Sequence, residues 1–346
     1  MLTKDNFTEE HIRELQSRSR RDPVLLERSV YAFGLLEAIA RVGMPFIFKG
    51  GSCLMLLLEH PMRLSTDIDI VVKPGTDIED YIKRASEIFP FISCEEQIRV
   101  GKNNIEKRHF KFIYSSPINK RNIYILLDVL FEDAKYTCLV SKQIKNELLI
   151  TDGEMLDVSI PSVECVLGDK LTAFAPHTTG VRLNDNNDME IAKQFYDVLT
   201  LINIASNFEK VRDTYYKLVQ DEIAYRGLDI SSEDALRDTY MTAACIASRG
   251  KIAREDYGFY LRGIRDVRNH IFYENFSAEV ASKRAPIIMY LAACMIKAAP
   301  FEKKIDAKEY INRSFIDSNV KAVKEQRKIN PVGYAYAIKA DSILNG

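Results

Sequence analysis

Residues 46–72 have the sequence FIFKGGSCLMLLLEHPMRLSTDIDIVV and contain the clearest structural pattern of the chain. A short apolar segment ends at two glycines, an apolar helical segment follows, and a second apolar segment then alternates isoleucine with aspartate. Because successive side chains of a β-strand point to opposite faces, Asp67 and Asp69 share one face. Ile68 and Ile70 share the opposite face. The pattern predicts a half-buried strand that begins at Asp67 and carries two neighbouring carboxylates.

The paired aspartates indicate a metal site. Two carboxylates side by side repel each other, and burying them is costly unless a cation neutralises them. Mg²⁺ suits such oxygen ligands, and proteins usually bind it through one or two carboxylates and substrate phosphates. Asp128 is a third candidate because it lies in another apolar strand-like segment, NIYILLDVLFED. We therefore expect Asp67, Asp69 and Asp128 to bind Mg²⁺ or Mn²⁺. The alternative for Asp128 is a strand end that faces water.

The two glycines between strand and helix indicate a phosphate site. Backbone N–H groups at a helix N-terminus favour anions, and glycine permits close approach and positive φ angles. Here the turn is Gly50-Gly51, preceded by Lys49 and followed by Ser52 as the helix cap. An ordinary turn is the alternative, and the nearby aspartates favour the phosphate site.

The chain changes character near residue 160. The first half mixes helical and strand-like segments, and the second half consists of long amphipathic segments. First-half helices are expected at 22–43, 52–59 and 77–88, and strands at 46–49, 67–72, 96–100, 108–114, 123–131 and 155–160. Second-half helices are expected at 162–174, 189–205, 208–225, 232–248, 255–270 and 278–299. The sequence thus predicts an α+β fold with two domains, residues 1–160 and 161–346.

Composition sets few limits on partners. The chain has 346 residues and a formal net charge of -1, so it exerts no global attraction on nucleic acid or membrane. The six cysteines include no CxxC pair, which indicates reduced thiols. The polar N-terminus lacks a signal-peptide layout, and no apolar run approaches the roughly 20 residues of a membrane helix. We expect a cytoplasmic protein with no membrane partner.

The opening stretch resembles the signature of the polymerase-β-type nucleotidyltransferase superfamily, through KGGS at residues 49–52 and R-x-S-x-D-x-D at residues 63–69. Within that superfamily it is similar to the AbiEii/AbiGii toxin family, the toxin component of bacterial type IV toxin–antitoxin and phage-defence systems. The resemblance implies a polymerase-β-like nucleotidyltransferase domain with a mixed sheet, followed by a helical domain. It implies that the NTP is bound by the following first-half residues: Lys49, Gly50, Gly51, Ser52, Arg63 and Ser65. It also implies that Asp67, Asp69 and Asp128 are catalytic.

Two motifs of the helical half resemble later motifs of that family. GDKLTAF, residues 168–174, resembles its lysine motif, and Lys193 with Asp197 resembles its basic-then-acidic motif. The resemblance implies that Lys170 and Lys193 bind the NTP and that Lys170 and Asp197 belong to the catalytic set. From the residues alone, Lys193 and Asp197 form an ordinary i,i+4 helical ion pair. The alternative for Lys170 is a solvated lysine at a helix edge. Gln194 departs from the family pattern.

A basic stretch with interleaved aromatics is a candidate RNA contact. Seven lysines and arginines lie between Arg99 and Arg121, against Glu106 alone. Such cations suit a phosphate backbone, and aromatic rings are able to stack bases. The aromatics concerned are Phe110, Phe112 and Tyr114. The alternatives are a solvated charged face and core aromatics.

A second catalytic motif is weaker. Arg265 and His270 form an R-x4-H spacing in a segment expected to be helical, which resembles the motif of HEPN ribonucleases. Those two side chains would stabilise charge and transfer protons during metal-free RNA cleavage. Asp266 departs from that motif, and the alternative is a basic cluster at a helix end.

The leading hypothesis is a metal-dependent nucleotidyltransferase toxin. The family resemblance implies that it moves a nucleoside monophosphate from an NTP to an acceptor, first of all the 3′ end of an RNA such as tRNA, and that it inhibits growth. It also implies a cognate antitoxin as partner. The alternatives are the same chemistry on a small molecule or protein, and an HEPN-like ribonuclease. Carboxylates on apolar strands argue against an inert scaffold, since their repulsion costs stability without a cation.

Overall fold

The segment with the paired aspartates forms an inner strand of a five-stranded mixed sheet. The computed structural model describes residues 1–97, 106–183 and 186–346. Two compact units are present in these residues. The first comprises Met1–Ser162 and Asn269–Glu274, and the second comprises Val163–Arg268 and Asn275–Gly346.

The first unit contains seven strands in its described residues. They are β1 (Ile47–Lys49), β2 (Ile68–Val72), β3 (Phe91–Glu96), β4 (Lys107–Ser115), β5 (Asn122–Phe131), β6 (Leu139–Gln143) and β7 (Asp157–Pro161). The sheet order is β1-β2-β5-β4-β3, with β2 and β5 parallel and the other neighbours antiparallel. Strands β6 and β7 form a separate antiparallel pair. The α-helices of this unit are α1 (Glu9–Ser19), α2 (Pro23–Arg41), α3 (Gly50–Leu57) and α4 (Glu79–Ser86).

Helix α2 lies in the core of the first unit. Its start has a physical cause: Asp22 caps it by accepting from the Val24 and Leu25 N–H groups, and Pro23 occupies the first turn. Leucine, valine, isoleucine and phenylalanine side chains of α2 are fully buried in the same apolar cluster as one face of the sheet. The opposite face of the sheet is therefore the one that carries polar side chains.

One buried carboxylate ties α2 to the sheet. Glu27 has no exposed surface and accepts from Tyr114 Oη (3.0 Å), Ser116 Oγ (2.9 Å) and the Ile118 N–H (3.0 Å). Burial, followed by the charge of Glu27, raises the pKa of Tyr31 and Tyr114. Because these three hydrogen bonds satisfy a buried charge, they hold helix and strand in one arrangement.

The second unit is helical in its described residues. Its α-helices are α5 (Val163–Ala173), α6 (Asp188–Ile204), α7 (Phe208–Arg226), α8 (Ser232–Ala247), α9 (Arg254–Val267), α10 (Ala278–Lys297), α11 (Gln326–Ile329) and α12 (Pro331–Asn345). Several of these helices begin at a residue whose side chain caps the helix N-terminus. At α8, Ser231 and Asp234 form a reciprocal capping box. Within the described residues, no helix combines the length and the apolar character that a membrane crossing requires.

The α+β fold with a mixed sheet is confirmed, and the differences are local. Strand β2 begins at Ile68, so Asp67 immediately precedes the strand. The strand expected at 96–100 overlaps β3 at Glu96 alone, because β3 begins at Phe91 and Gln97 lies outside it; residues 98–100 lie outside the described part of the chain. Helices α1, α11 and α12 and strand β6 were not expected.

The prediction that one α-helix, residues 255–270, carries both Arg265 and His270 is wrong. Helix α9 ends at Val267, and a 3-10 turn, Arg268–His270, follows. Arg265 belongs to the second unit and His270 to the first. The R-x4-H spacing therefore does not place the two side chains on one continuous α-helix, which was the geometric basis of the ribonuclease alternative.

Candidate active site

Four polar residues on neighbouring strands form a row across the sheet. Lys49 on β1 pairs with Asp69 on β2, and Asp69 pairs with Asp128 on β5. His109 on β4 pairs in turn with Asp128. Residues paired directly across strands point to the same face, so these four side chains line one face of the sheet. We call them the polar row.

The opposite face beneath the polar row is apolar. Ile68, Ile70, Leu127 and Val129, which flank the two aspartates along β2 and β5, are at most 1% exposed. The aspartates themselves are half-buried. Strand alternation thus anchors each strand by its isoleucine, leucine and valine side chains and presents the carboxylates on the other side.

Gly50 allows the Asp69 carboxylate to lie against the turn. Gly50 has φ +80°, and a Cβ at this position would lie 2.0 Å from Asp69 Oδ2. A Cβ on Gly51 would lie 2.7 Å from Ser65 Oγ and 2.8 Å from Arg63 Nη2. Real Cβ atoms do not approach this closely. At Gly50 the positive φ adds to the requirement for glycine, whereas at Gly51 a side chain would displace the ends of the Ser65 and Arg63 side chains. The two glycines bring the α3 N-terminus next to residues of the R-x-S-x-D-x-D motif.

Hydrogen bonds hold that motif in place. Ser52, which is fully buried, donates from Oγ to the Asp67 carbonyl at 2.5 Å. Ser29 of α2 donates to the Ser65 carbonyl at 2.9 Å. Ser52 therefore acts on the chain before β2. The helix start that it was expected to cap is at Gly50, with Lys49 as the flanking residue and no side-chain cap.

The returning segment Asn269–Glu274 also fixes this motif. The Leu64 N–H donates to the His270 carbonyl at 2.7 Å, and the Phe272 N–H donates to the Met62 carbonyl at 3.0 Å. These bonds pair the loop before β2 in the manner of a short strand. This contact was not predicted from the sequence. About two hundred residues separate the two segments, and a pairing over that distance leaves no local sequence pattern.

The three aspartates fit a divalent metal in their donor chemistry. Asp67 Oδ1 lies 3.3 Å from Arg28 Nη2, and Asp128 Oδ1 lies 2.7 Å from His109 Nδ1. In residues 1–97, 106–183 and 186–346, no three His, Cys, Asp or Glu side chains converge into a complete metal site. Mg²⁺ commonly uses one or two carboxylates and takes phosphate oxygens for the rest. The residues present therefore fit a metal shared with the substrate better than a preformed protein site.

His109 was not among the predicted site residues. His109 lies in the basic stretch and, by strand alternation, on the face opposite Phe110. Its partner on that face depends on the register of β4 against β5, which the sequence does not show. The sequence feature that indicates such a residue is a histidine that alternates with apolar side chains in a strand-like segment.

A cavity adjoins the polar row. Ile47 on β1 and Val71 on β2 pair one row further along the same face and line a cavity of about 560 Å³. Its lining also includes Lys73, Glu132 and Asp133. A volume of this size is within the range of small-molecule sites. The lining lies at the carboxyl ends of β2 and β5 and includes none of the four residues of the polar row.

In the second unit, Lys170 and Asp197 form a buried ion pair. Lys170 Nζ lies 3.0 Å from Asp197 Oδ2 and donates to Gln194 Oε1 at 3.0 Å. Lys170 is 8% exposed and Asp197 is 1% exposed, so the solvated-lysine alternative is wrong. Gln194, the departure from the family pattern, is one of the two partners of Lys170. Lys193 pairs with Glu190 at 2.7 Å.

We expect Asp197→Ala to lower the free energy of unfolding by about 3–5 kcal/mol, because it leaves the buried Lys170 charge uncompensated. Urea unfolding followed by circular dichroism measures the change. Glu279→Ala is the matched control, since it breaks the exposed i,i+4 pair with Lys283 in the same unit; it should shift the transition little. Equal midpoints for Asp197→Ala and wild type would contradict this account of the pair.

The basic stretch does not present the expected aromatic platform. Phe110, Phe112 and Tyr114 are at most 3% exposed and belong to the core, so the prediction that they stack a base is wrong. Arg108 forms ion pairs with Glu96 and Glu79, at 2.7 and 2.6 Å. Two of the predicted cations, Arg99 and Lys102, lie outside the described residues.

Comparisons with known proteins point in one direction. The family model described as "Nucleotidyl transferase AbiEii toxin, Type IV TA system" matches residues 35–292, which is well over half of the chain. That range contains the polar row and both motifs of the second unit. No curated protein matches the chain.

Two solved structures show distant likeness. JHP933 from Helicobacter pylori is 14% identical with a TM-score of 0.43, over 79% of this chain and 93% of that chain. An antigenic nucleotidyltransferase-like protein from Paracoccidioides brasiliensis is 16% identical with a TM-score of 0.37, over 58% of this chain and 91% of that chain.

Proposed function

Because this chain belongs to the nucleotidyl transferase AbiEii toxin family of type IV toxin–antitoxin systems and is therefore a nucleotidyltransferase, we propose that it transfers a nucleoside monophosphate from an NTP to the 3′ end of an RNA, with tRNA as the first candidate. The observation that carries this proposal is the pairing of Asp69 with Asp128 beside the Gly50 turn. A carboxylate pair next to an anion-binding turn suits a substrate that carries both a triphosphate and a metal ion.

The proposed metal ligands are Asp67, Asp69 and Asp128, with Mg²⁺ or Mn²⁺ as the ion. When bound, the ion would neutralise triphosphate charge and stabilise the leaving pyrophosphate. Asp69 is the central ligand in this proposal, because its Oδ2 faces the α3 N-terminus, where phosphate is expected. Arg28 would hold Asp67 in place from the side of α2.

The proposed phosphate contacts follow from the turn. Backbone N–H groups at Gly51 and Ser52 lie at the start of α3 and favour an anion. Lys49 belongs to the polar row and supplies a positive charge next to Asp69. Arg63 and Ser65 approach Gly51 closely and are the proposed side-chain contacts. For the second unit, the NTP-binding role of Lys170 and Lys193 and the catalytic role of Asp197 stay proposals that rest on the family resemblance; within that unit, Asp197 holds Lys170 in a buried ion pair.

The reaction balances as a single displacement. The acceptor 3′ oxygen forms a bond to the α-phosphorus of the NTP while the bond to the bridging oxygen of pyrophosphate breaks. The hydroxyl proton passes to a carboxylate, for which Asp128 is the proposed acceptor because it is half-exposed in the polar row. Asp67 and Asp69 would hold the metal ion that neutralises the phosphate charge, and they take no part in the proton transfer.

The experiment that tests the proposal incubates the purified protein with total bacterial RNA, Mg²⁺ and each of the four NTPs labelled at the α-phosphate. We expect RNA to be labelled with one or a few of the NTPs and not in EDTA. Labelling of a small metabolite or a protein in place of RNA would favour those acceptors. Shortening of RNA in EDTA without labelling would favour the ribonuclease alternative and contradict the proposal.

We propose that this transfer inhibits growth, that a cognate antitoxin counters it, and that the protein takes part in phage defence. Under this proposal, expression of the wild-type chain arrests growth, and coexpression of a neighbouring antitoxin gene relieves the arrest. A catalytically inactive variant of equal abundance should not arrest growth. Equal arrest by both proteins would contradict a toxic role of nucleotidyl transfer.

A further inference from the structure

We propose that His109 is a positioning residue that fixes the orientation of the Asp128 carboxylate; this inference rests on the proposed function and deepens it. The two residues are direct partners across β4 and β5, and His109 Nδ1 lies 2.7 Å from Asp128 Oδ1. The His109 side chain is 14% exposed and that of Asp128 is 33% exposed. The contact is thus short and partly shielded from water.

The chemistry of the two groups sets the direction of this hydrogen bond. An ionised carboxylate only accepts, so the Nδ1–H of His109 donates to Oδ1. Among the residues that the structure describes, His109 is the hydrogen-bond partner of the Asp128 side chain. The bond therefore holds the carboxylate by Oδ1, and lone pairs remain on both oxygens for a further ligand.

Sheet geometry places His109 directly beside Asp128 and one strand further from Asp69. Neighbouring strands lie about 4.8 Å apart, and β5 separates β4 from β2, so the His109 backbone is about 10 Å from that of Asp69. Asp128 lies between them. His109 thus supports the carboxylate from the side away from Asp69.

A fixed carboxylate binds a cation better than a rotating one. The terminal torsion of aspartate is broad, so a carboxylate without a partner samples many orientations. Hydrogen bonds to ligating carboxylates hold them in place, and removing such a partner typically costs about 10–100-fold in metal affinity or activity. The His109 bond is of this kind for Asp128.

Two substitutions at position 109 separate the hydrogen bond from the ring. His109→Asn keeps an N–H donor close to the position of Nδ1, whereas His109→Leu keeps apolar bulk and removes the donor. His11→Leu is the matched control. It removes a buried imidazole whose Nε2 contacts the Leu148 carbonyl at 2.9 Å, and His11 lies on α1, outside the polar row.

The measurement is the dissociation constant of Mn²⁺ by electron paramagnetic resonance, with a non-hydrolysable NTP analogue present to supply phosphate ligands, together with kcat and KM for the NTP. For His109→Leu we expect Mn²⁺ affinity and kcat to fall about 10–100-fold, with KM for the NTP little changed. His109→Asn should retain near-wild-type values, and His11→Leu should leave Mn²⁺ affinity unchanged. If His109→Leu does not fold, His109→Gln replaces it, because its longer side chain moves the donor away from the Nδ1 position.

Wild-type Mn²⁺ affinity in His109→Leu would overturn the inference. Equal loss in His109→Asn and His109→Leu would also overturn it, because the ring would then matter and the hydrogen bond would not. A wild-type protein that binds no Mn²⁺ even with a non-hydrolysable NTP analogue present would instead remove the metal from the proposed function and this inference with it. Thermal unfolding of each variant shows whether a loss of Mn²⁺ affinity merely follows a loss of the folded state.

Discussion

Asp69→Asn should lower kcat for nucleotidyl transfer by about 10³-fold, since a bound metal supplies several kcal/mol of charge stabilisation and each 1.36 kcal/mol is a tenfold change in rate. Asparagine has the same shape as aspartate but carries no charge. Ile68 and Ile70 hold β2 in the core on the opposite face, so the fold should be retained. Initial rates of label transfer, with circular dichroism as the check on folding, measure the effect.

Asp80→Asn is the control for Asp69→Asn. Asp80 lies on α4, its side chain is 76% exposed, and its partner is Arg84 on the same helix. It carries the same chemical change outside the polar row and should leave kcat unaltered. If Asp69→Asn retained activity within a few-fold of wild type, Asp69 would not be a catalytic ligand and the proposed site would be wrong.

Gly50→Ala should reduce activity by about 10²-fold, the scale of loss that accompanies a misplacement of about 1 Å in a catalytic group. The new Cβ would lie 2.0 Å from Asp69 Oδ2 and 2.8 Å from Asp69 Cγ, so the carboxylate has to move. The φ of +80° adds backbone strain of roughly 1–2 kcal/mol for any L-residue with a side chain. Activity and the free energy of unfolding should both be measured.

Gly75→Ala separates the two effects of the Gly50 substitution. Gly75 has a nearly identical φ of +77°, but a Cβ there would have no atom within 4 Å. Gly75→Ala should therefore show the backbone strain without the loss of catalysis. Comparable activity in Gly50→Ala and Gly75→Ala would contradict the view that the glycine turn exists to admit the Asp69 carboxylate.

Local patterns in the sequence were sufficient for much of the fold. The alternation of Asp67 and Asp69 with isoleucine predicted which face of β2 is apolar, and capping residues such as Asp22 predicted helix starts. Every helix expected in the second half is present, with shifts at its ends. These features depend on residues close in the chain, where periodicity and propensity act directly.

Contacts between distant residues could not be predicted in the same way. The register of β4 against β5 placed His109 beside Asp128 and Phe110 in the core, and a shift of one residue would have reversed both faces. Lys170 and Asp197 meet because α5 packs on α6. The segment at 269–274 pairs with the loop before β2 only in the folded chain. None of these contacts leaves a periodic signal in the sequence.

The central claim is that the polar row supports transfer of a nucleotide from an NTP to RNA. Its most direct test is to count pyrophosphate released and nucleotides added to RNA in the same reaction, the first by an enzymatic assay and the second by mass spectrometry of the RNA. We expect one pyrophosphate for each nucleotide added by the wild-type protein, and neither product with Asp69→Asn. Pyrophosphate release without RNA extension, or equal extension by Asp69→Asn, would contradict it.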